Sequence, residues 1–220
     1  MKTTTFMNPI TGFRADRLLV AAMIALGVML ASCSNTATQG AADATAAEAE
    51  ADETGVISFT EDDIKAIKAK FIVDESGWYN HTLWGKSLVP RRTLTALVNG
   101  TGYFVLSSNY YADKPLQHTH IKVKIGEEEV ESNKLDLKST DHAVQTVAGK
   151  TYEVNTYSRY GDNGIFQKIA DSPRNTEVQV TFQAKNARVE EKISKADIDA
   201  IRDCSQLSLV LRMEQAQQAQ

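Results

Sequence analysis

Two histidines two positions apart, His118 and His120, carry the most direct chemical potential in the chain. On an extended strand, alternate positions lie on one face, so their imidazoles could hold a metal ion, with His81 or His142 as a third ligand. Lys122 and Lys124 continue that face, and two ammonium groups beside a cation are unfavourable unless carboxylates intervene. The expectation is therefore no metal, and instead a wet, mildly basic strand face suited to an acidic partner or a glycan. Trp78 and Trp84 are six apart and would share a face of an unbroken strand; with Tyr79, Tyr103, Tyr110 and Tyr111 they could stack on a sugar. Both Trp residues sit in apolar blocks, so core packing is the better expectation. Cys204 falls on one helical face with Ile198, Ile201, Ser208 and Leu211. That position suits a small buried hydrophobe, and the adjacent Asp203 opposes thiolate formation.

No Gly-x-Ser-x-Gly, His-Glu-x-x-His or phosphate-cradling glycine loop occurs. A hydrolase could still assemble Ser, His and Asp from distant positions, but the leading expectation is a non-enzymatic binding or structural module without a cofactor. The alternative is a ligand-binding protein for carbohydrate or metal. A net charge of −4 leaves no cationic excess to neutralise phosphates, which argues against nucleic acid.

These residues need elements to position them. Thr60 is a good N-cap, three acids follow it, and Ile64, Ile67 and Phe71 repeat at helical spacing. Residues 94–98 and 103–108 flank Asn99-Gly100-Thr101-Gly102, a hairpin signal. Asn80-His81-Thr82 and Asn99-Gly100-Thr101 match a glycosylation sequon, read here as chance and as turn chemistry respectively. Residues 119–125 and 177–183 alternate as strands with one wet face, 151–157 is another strand, and 127–131, rich in Glu, suits a hairpin tip or guarded sheet edge. After Gly161-Asp162-Asn163-Gly164, residues 165–170 form a helical turn. Ser194 and Asp197 open a closing helix, and 213–220 should fray. The fold class is α+β: an antiparallel, sandwich-like β domain with an N-terminal helix and a packed C-terminal helix, over residues 56–212.

Ahead of this domain, residues 34–55 are rich in Ala, Thr and acids and lack Lys, Arg and aromatics, so they read as an acidic tether. Residues 18–30 form an apolar run of signal-peptide length, too short to span a bilayer. It ends in Leu30-Ala31-Ser32-Cys33, which resembles the lipobox of bacterial lipoproteins. The resemblance implies a signal peptide over 1–32 and a mature N-terminus at Cys33 carrying diacylglycerol and palmitate-type acyl chains. It also implies a lipid anchor at the cell envelope, with Ser34 favouring the outer membrane over the inner.

The succession Trp78-Tyr79-Asn80-His81, Tyr103 to Tyr111, Ile121 to Ile125, Ile165-Phe166 with Ile169-Ala170-Asp171-Ser172, then Glu177 to Phe182 and the closing helix, is similar to a broad group of exported bacterial proteins and lipoproteins of unknown function. Lys114-Pro115-Leu116 departs from that group, where an aromatic would follow Asp113. The likeness implies a β-rich fold and an exported location, and brings no activity or functional residue.

Overall fold

A computed structural model describes residues 58–85 and 88–219. Cys33, the 1–32 leader and the 34–55 tether lie outside the described residues.

Helix α1 (Glu61–Lys68) begins where expected. Thr60 accepts from the Asp63 backbone N–H while the Asp63 carboxylate returns to the Thr60 N–H at 2.9 Å, a reciprocal cap. The helix stops before Phe71, which was expected on its face; Phe71 instead opens strand β1 (Phe71–Val73). The β-favouring run Phe71-Ile72-Val73 gains a ladder with β2 (Trp78–His81) there, which decides the contest with helical spacing.

Strands β3 (Thr93–Asn99) and β4 (Phe104–Ala112) form the expected hairpin. The Asn99 side chain is consumed in the turn, accepting from the N–H groups of Thr101 and Tyr103. The chain then crosses to β5 (His120–Ile125) and β6 (Glu128–Glu131), and returns as β7 (His142–Val147) and β8 (Lys150–Tyr157). It leaves again through α2 (Ile165–Asp171) to β9 (Val178–Gln183) and β10 (Arg188–Lys192). Two antiparallel sheets result, one ordered β1-β2-β3-β4-β8-β7 and the other β10-β9-β5-β6.

One hydrophobic core joins them. Leu94, Ala96, Val98, Leu106 and Tyr157 from the first sheet belong to the same cluster as Ile121, Val123, Val180 and Phe182 from the second, with Phe182 edge-on to Tyr110 at 5.6 Å. Helix α3 (Lys195–Gln218) covers the β3 region of the first sheet, and Ile198, Ile201, Cys204 and Leu211 are buried on the expected stripe. Fraying from residue 213 is not what the structure has. Met213 to Gln218 continue the helix, because Met, Glu, Gln and Ala all favour it and Glu214 pairs with Lys68 of α1 at 2.6 Å. The fold is thus mixed α+β, two antiparallel sheets with helices near both ends packed on them.

Candidate functional site

The cluster richest in chemistry lies inside the core and centres on His118, which is fully buried and precedes β5 rather than sharing its wet face. The strand begins only at His120, so the expected alternation of His118 with His120 fails by the register of the crossover. His118 Nδ1 lies 2.7 Å from Glu153 Oε1, and an ionised carboxylate can only accept, so Nδ1 carries the hydrogen. Nε2 lies 2.8 Å from Ser108 Oγ. Ser108, His118 and Glu153 therefore stand in the order of a nucleophile, a base and an orienting acid. All three are at 0% exposure, so the hydroxyl faces packed side chains rather than a substrate cavity.

Glu153 is held from two sides. Its carboxylate accepts backbone N–H groups from Leu116, Gln117 and His118 at 2.7 to 2.9 Å, in addition to the imidazole. Three successive amides can converge on one carboxylate only if the chain curls, and Gln117 adopts φ of 60° to allow it. Burial works to raise the Glu153 pKa, but the His118 hydrogen bond and charge, with the backbone amides, outweigh it and hold the group below the usual carboxylate range. Asn155 extends the network, donating to the His118 carbonyl at 2.6 Å and accepting from His142 Nδ1 at 2.7 Å. Beside it the Tyr157 hydroxyl is buried with no hydrogen-bond partner among the described residues, and burial pushes its pKa up.

The other sequence candidates are dispersed. His120 pairs with Glu131 at 3.1 Å, and burial lowers its pKa despite that acid. The β5 face is not the basic surface expected: Lys122 meets both Glu129 and Glu131 at 3.4 Å, and Lys124 meets Glu127, so the Glu run neutralises it across the β5–β6 hairpin. Trp78 starts β2, half-buried and edge-on to Tyr103. Trp84 does not share its strand face, because β2 ends at His81 in a turn where Trp84 N–H donates to the His81 carbonyl. Its indole is buried and donates to Asp197 at 2.8 Å. His81 accepts from Leu83 N–H at Nδ1, which leaves Nε2–H to donate to Asp203 at 3.1 Å. Among the described residues, no group of three or more His, Cys, Asp or Glu converges to hold a metal ion.

Asp197 and Asp203, both on α3, anchor the helix to the loops around β1 and β2. Burial acts to raise each, but Arg91, Ser194 and Trp84 bonds on Asp197, and His81 and Lys70 bonds on Asp203, lower both. Cys204 is fully buried with Sγ 3.7 Å from the Ala96 carbonyl, and burial together with Asp203 pushes its thiol well up, as expected of an inert packing residue. A cleft of about 330 Å³ lies near the start of α3, lined by Arg91, Arg92, Tyr111, Glu191, Lys192, Ser194 and Asp197. Sequence reasoning missed Ser108, Glu153 and Asn155 as a set. Their signal is parity: 151, 153, 155 and 157 share one side of β8, so a Glu in phase with Tyr157 must enter the core.

No family model matches the chain, and neither the curated proteins nor the solved structures compared with it give a match.

Proposed function

We propose that this chain is a cell-envelope lipoprotein, anchored through acylated Cys33 and working by contact rather than by catalysis. The observation that carries the reading is Leu30-Ala31-Ser32-Cys33 behind the apolar run of residues 18–30. Small residues before the cysteine suit an intramembrane protease, and the thiol is the nucleophile that takes the diacylglycerol. Each buried CH₂ adds about 0.8 kcal/mol, so several acyl chains hold the domain on a bilayer where one would not. Taken from composition alone as a coil, residues 34–55 would reach about 25 Å, enough to hold the domain in the aqueous phase. Ser34 favours the outer membrane as the site of anchoring. A contact role is supported by the way Trp84, His81, His118 and Glu153 are spent on holding elements together.

The test is expression of the full chain and Cys33→Ser in a bacterial host with radiolabelled palmitate, followed by membrane fractionation and mass measurement of the mature N-terminus. Label and membrane association in the parent, lost in the variant, support the reading. A soluble, unlabelled parent refutes it. A second reading, binding of an acidic sugar, is favoured by the cleft, whose lining includes Arg91, Arg92, Lys192 and Tyr111. Calorimetric titration with a uronic-acid oligosaccharide, repeated on Arg92→Ala, separates it from the first.

A further inference from the structure

Two sheets of this kind have four edges, and three of them are guarded. Strand β1 has only three residues; β6 carries Glu128, Glu129 and Glu131; β10 carries Arg188, Glu190, Glu191 and Lys192. Short length and charge are the usual means of preventing edge-to-edge pairing. Strand β7, His142-Ala-Val-Gln-Thr-Val147, has neither: it is six residues long and holds no Lys, Arg, Asp, Glu or Pro. Among the described residues, no strand pairs with its outer side. Val144 and Val147 are 47% and 42% exposed, although β-branched apolar residues are ordinarily placed against a neighbour.

The register fixes which backbone groups face outward. Val147 and Lys150 close a two-residue turn in which Ala148 and Gly149 have φ of 52° and 77°, the primed hairpin geometry. Asp141 O accepts from Thr156 N–H at 2.8 Å, so the odd-numbered residues of this strand bond inward to β8. The even ones, Val144 and Thr146, direct their N–H and C=O groups away from the sheet. His142 N–H is already engaged by Ser139 O.

We propose that β7 is a docking edge for β7 of a second copy of this chain, the two strands pairing antiparallel about a two-fold axis at Gln145. In that register Val144 lies opposite the partner's Thr146, and the two such pairs exchange four hydrogen bonds. All of these come from groups facing outward here, and the His142 turn bond is undisturbed. The same register sets Val147 against the partner's Ala143, and Val144 against the Thr146 methyl, so both exposed valines gain cover. An edge without charge can pair with itself: Gln145 faces its own copy, and a Lys or Glu at 144 or 146 would lie diagonal to the same charge about 7 to 8 Å away. A single strand pair buries less than the 1,200 to 2,000 Å² or so of a stable interface, so the association is a weak, reversible one. It goes beyond the proposed anchoring and does not require it.

The test is oxidative cross-linking of the full chain carrying Gln145→Cys, in cells and after detergent extraction, with the parent as background for Cys33 and Cys204. Opposed residues of an antiparallel pair have Cα atoms about 4.5 to 5.5 Å apart, within disulfide reach. The expected result is a disulfide-linked homodimer with Gln145→Cys and none with Glu190→Cys on the guarded β10 edge. Adding Thr146→Pro removes one outward N–H per copy while sparing the bonds to β8. It should cut the dimer about tenfold or more with an unchanged circular dichroism spectrum. Val144→Lys, which keeps the backbone donor, should do the same by charge repulsion. Monomer only from folded Gln145→Cys overturns the proposal, as does a dimer indifferent to both added substitutions. A cross-link to a different polypeptide overturns it in favour of a partner's strand on the same edge. Cell fractionation of the same samples reports anchoring separately.

Discussion

Replacing Glu153 by Gln preserves volume and removes only charge and one acceptor, which makes it a sharp probe of the buried network. The carboxylate accepts four hydrogen bonds, two on each oxygen: His118 N–H and Nδ1–H on Oε1, Leu116 and Gln117 N–H on Oε2. An amide has one acceptor oxygen, so either orientation of the substituted side chain sets its NH₂ group against two donors that no longer have a partner. Each buried donor so orphaned costs about 1 to 3 kcal/mol, and more where the acceptor lost was charged. A loss of about 3 to 5 kcal/mol follows, a large part of a typical total of about 5 to 15. Urea unfolding followed by tryptophan fluorescence and circular dichroism measures it. With a slope of about 2 kcal/mol/M, the midpoint should fall by about 1.5 to 2.5 M. Amide hydrogen exchange should also speed up at Leu116, Gln117 and His118, whose N–H groups have the carboxylate as acceptor. A midpoint shift under about 0.5 M, or exchange unchanged at those amides, would refute the account of Glu153 as the clamp of the β4–β5 crossover.

Gly102→Ala is expected to destabilise by about 2 kcal/mol or more in the same assay. Its φ is 74°, an added Cβ would fall 2.5 Å from Ser208 O, and the Gly102 carbonyl receives Ser208 and Arg212 of α3. Stability should be lost on acidification. Glu153, Asp197 and Asp203 have lowered folded pKa values, so the unfolded chain takes up their protons first as pH drops below about 4 to 4.5. Their stabilisation is therefore present above that range and disappears as pH falls through the folded values. Asp162, raised by burial, runs the opposite way and offsets part of the loss; melts between pH 7 and pH 3 read the sum, and Glu153→Gln should flatten it. Ser108 should resist a fluorophosphonate probe in the folded domain, since its hydroxyl is closed off. Stoichiometric labelling of Ser108, abolished by His118→Ala, would instead make the domain a hydrolase.

Local signals in the sequence were strong where the chemistry was local. Thr60 and Ser194 cap their helices, Asn99-Gly100-Thr101-Gly102 turns, and period-two patterns mark β5 and β9. What they could not convey is which strand a charged residue meets. His118 and Glu153 are 35 positions apart, and their pairing depends on the chain leaving the first sheet after β4. Trp84 and Asp197 are 113 apart and meet only because α3 returns over β2 and β3. The Lys122 face looked basic for the same reason: its neutralising acids arrive from the far arm of a hairpin, and composition along one strand does not contain them.

The order in which the chain visits its layers has a temporal meaning. Strand β3 comes early in the domain, yet the apolar side of Leu94, Ala96 and Val98 is closed by α3, the last of the described elements, and β5 waits for β9 before its second ladder forms. No N-terminal fragment of the domain can therefore complete a core. The chain stays open until α3 has joined, and a truncation that removes α3 alone should leave an aggregation-prone sheet rather than a smaller stable protein.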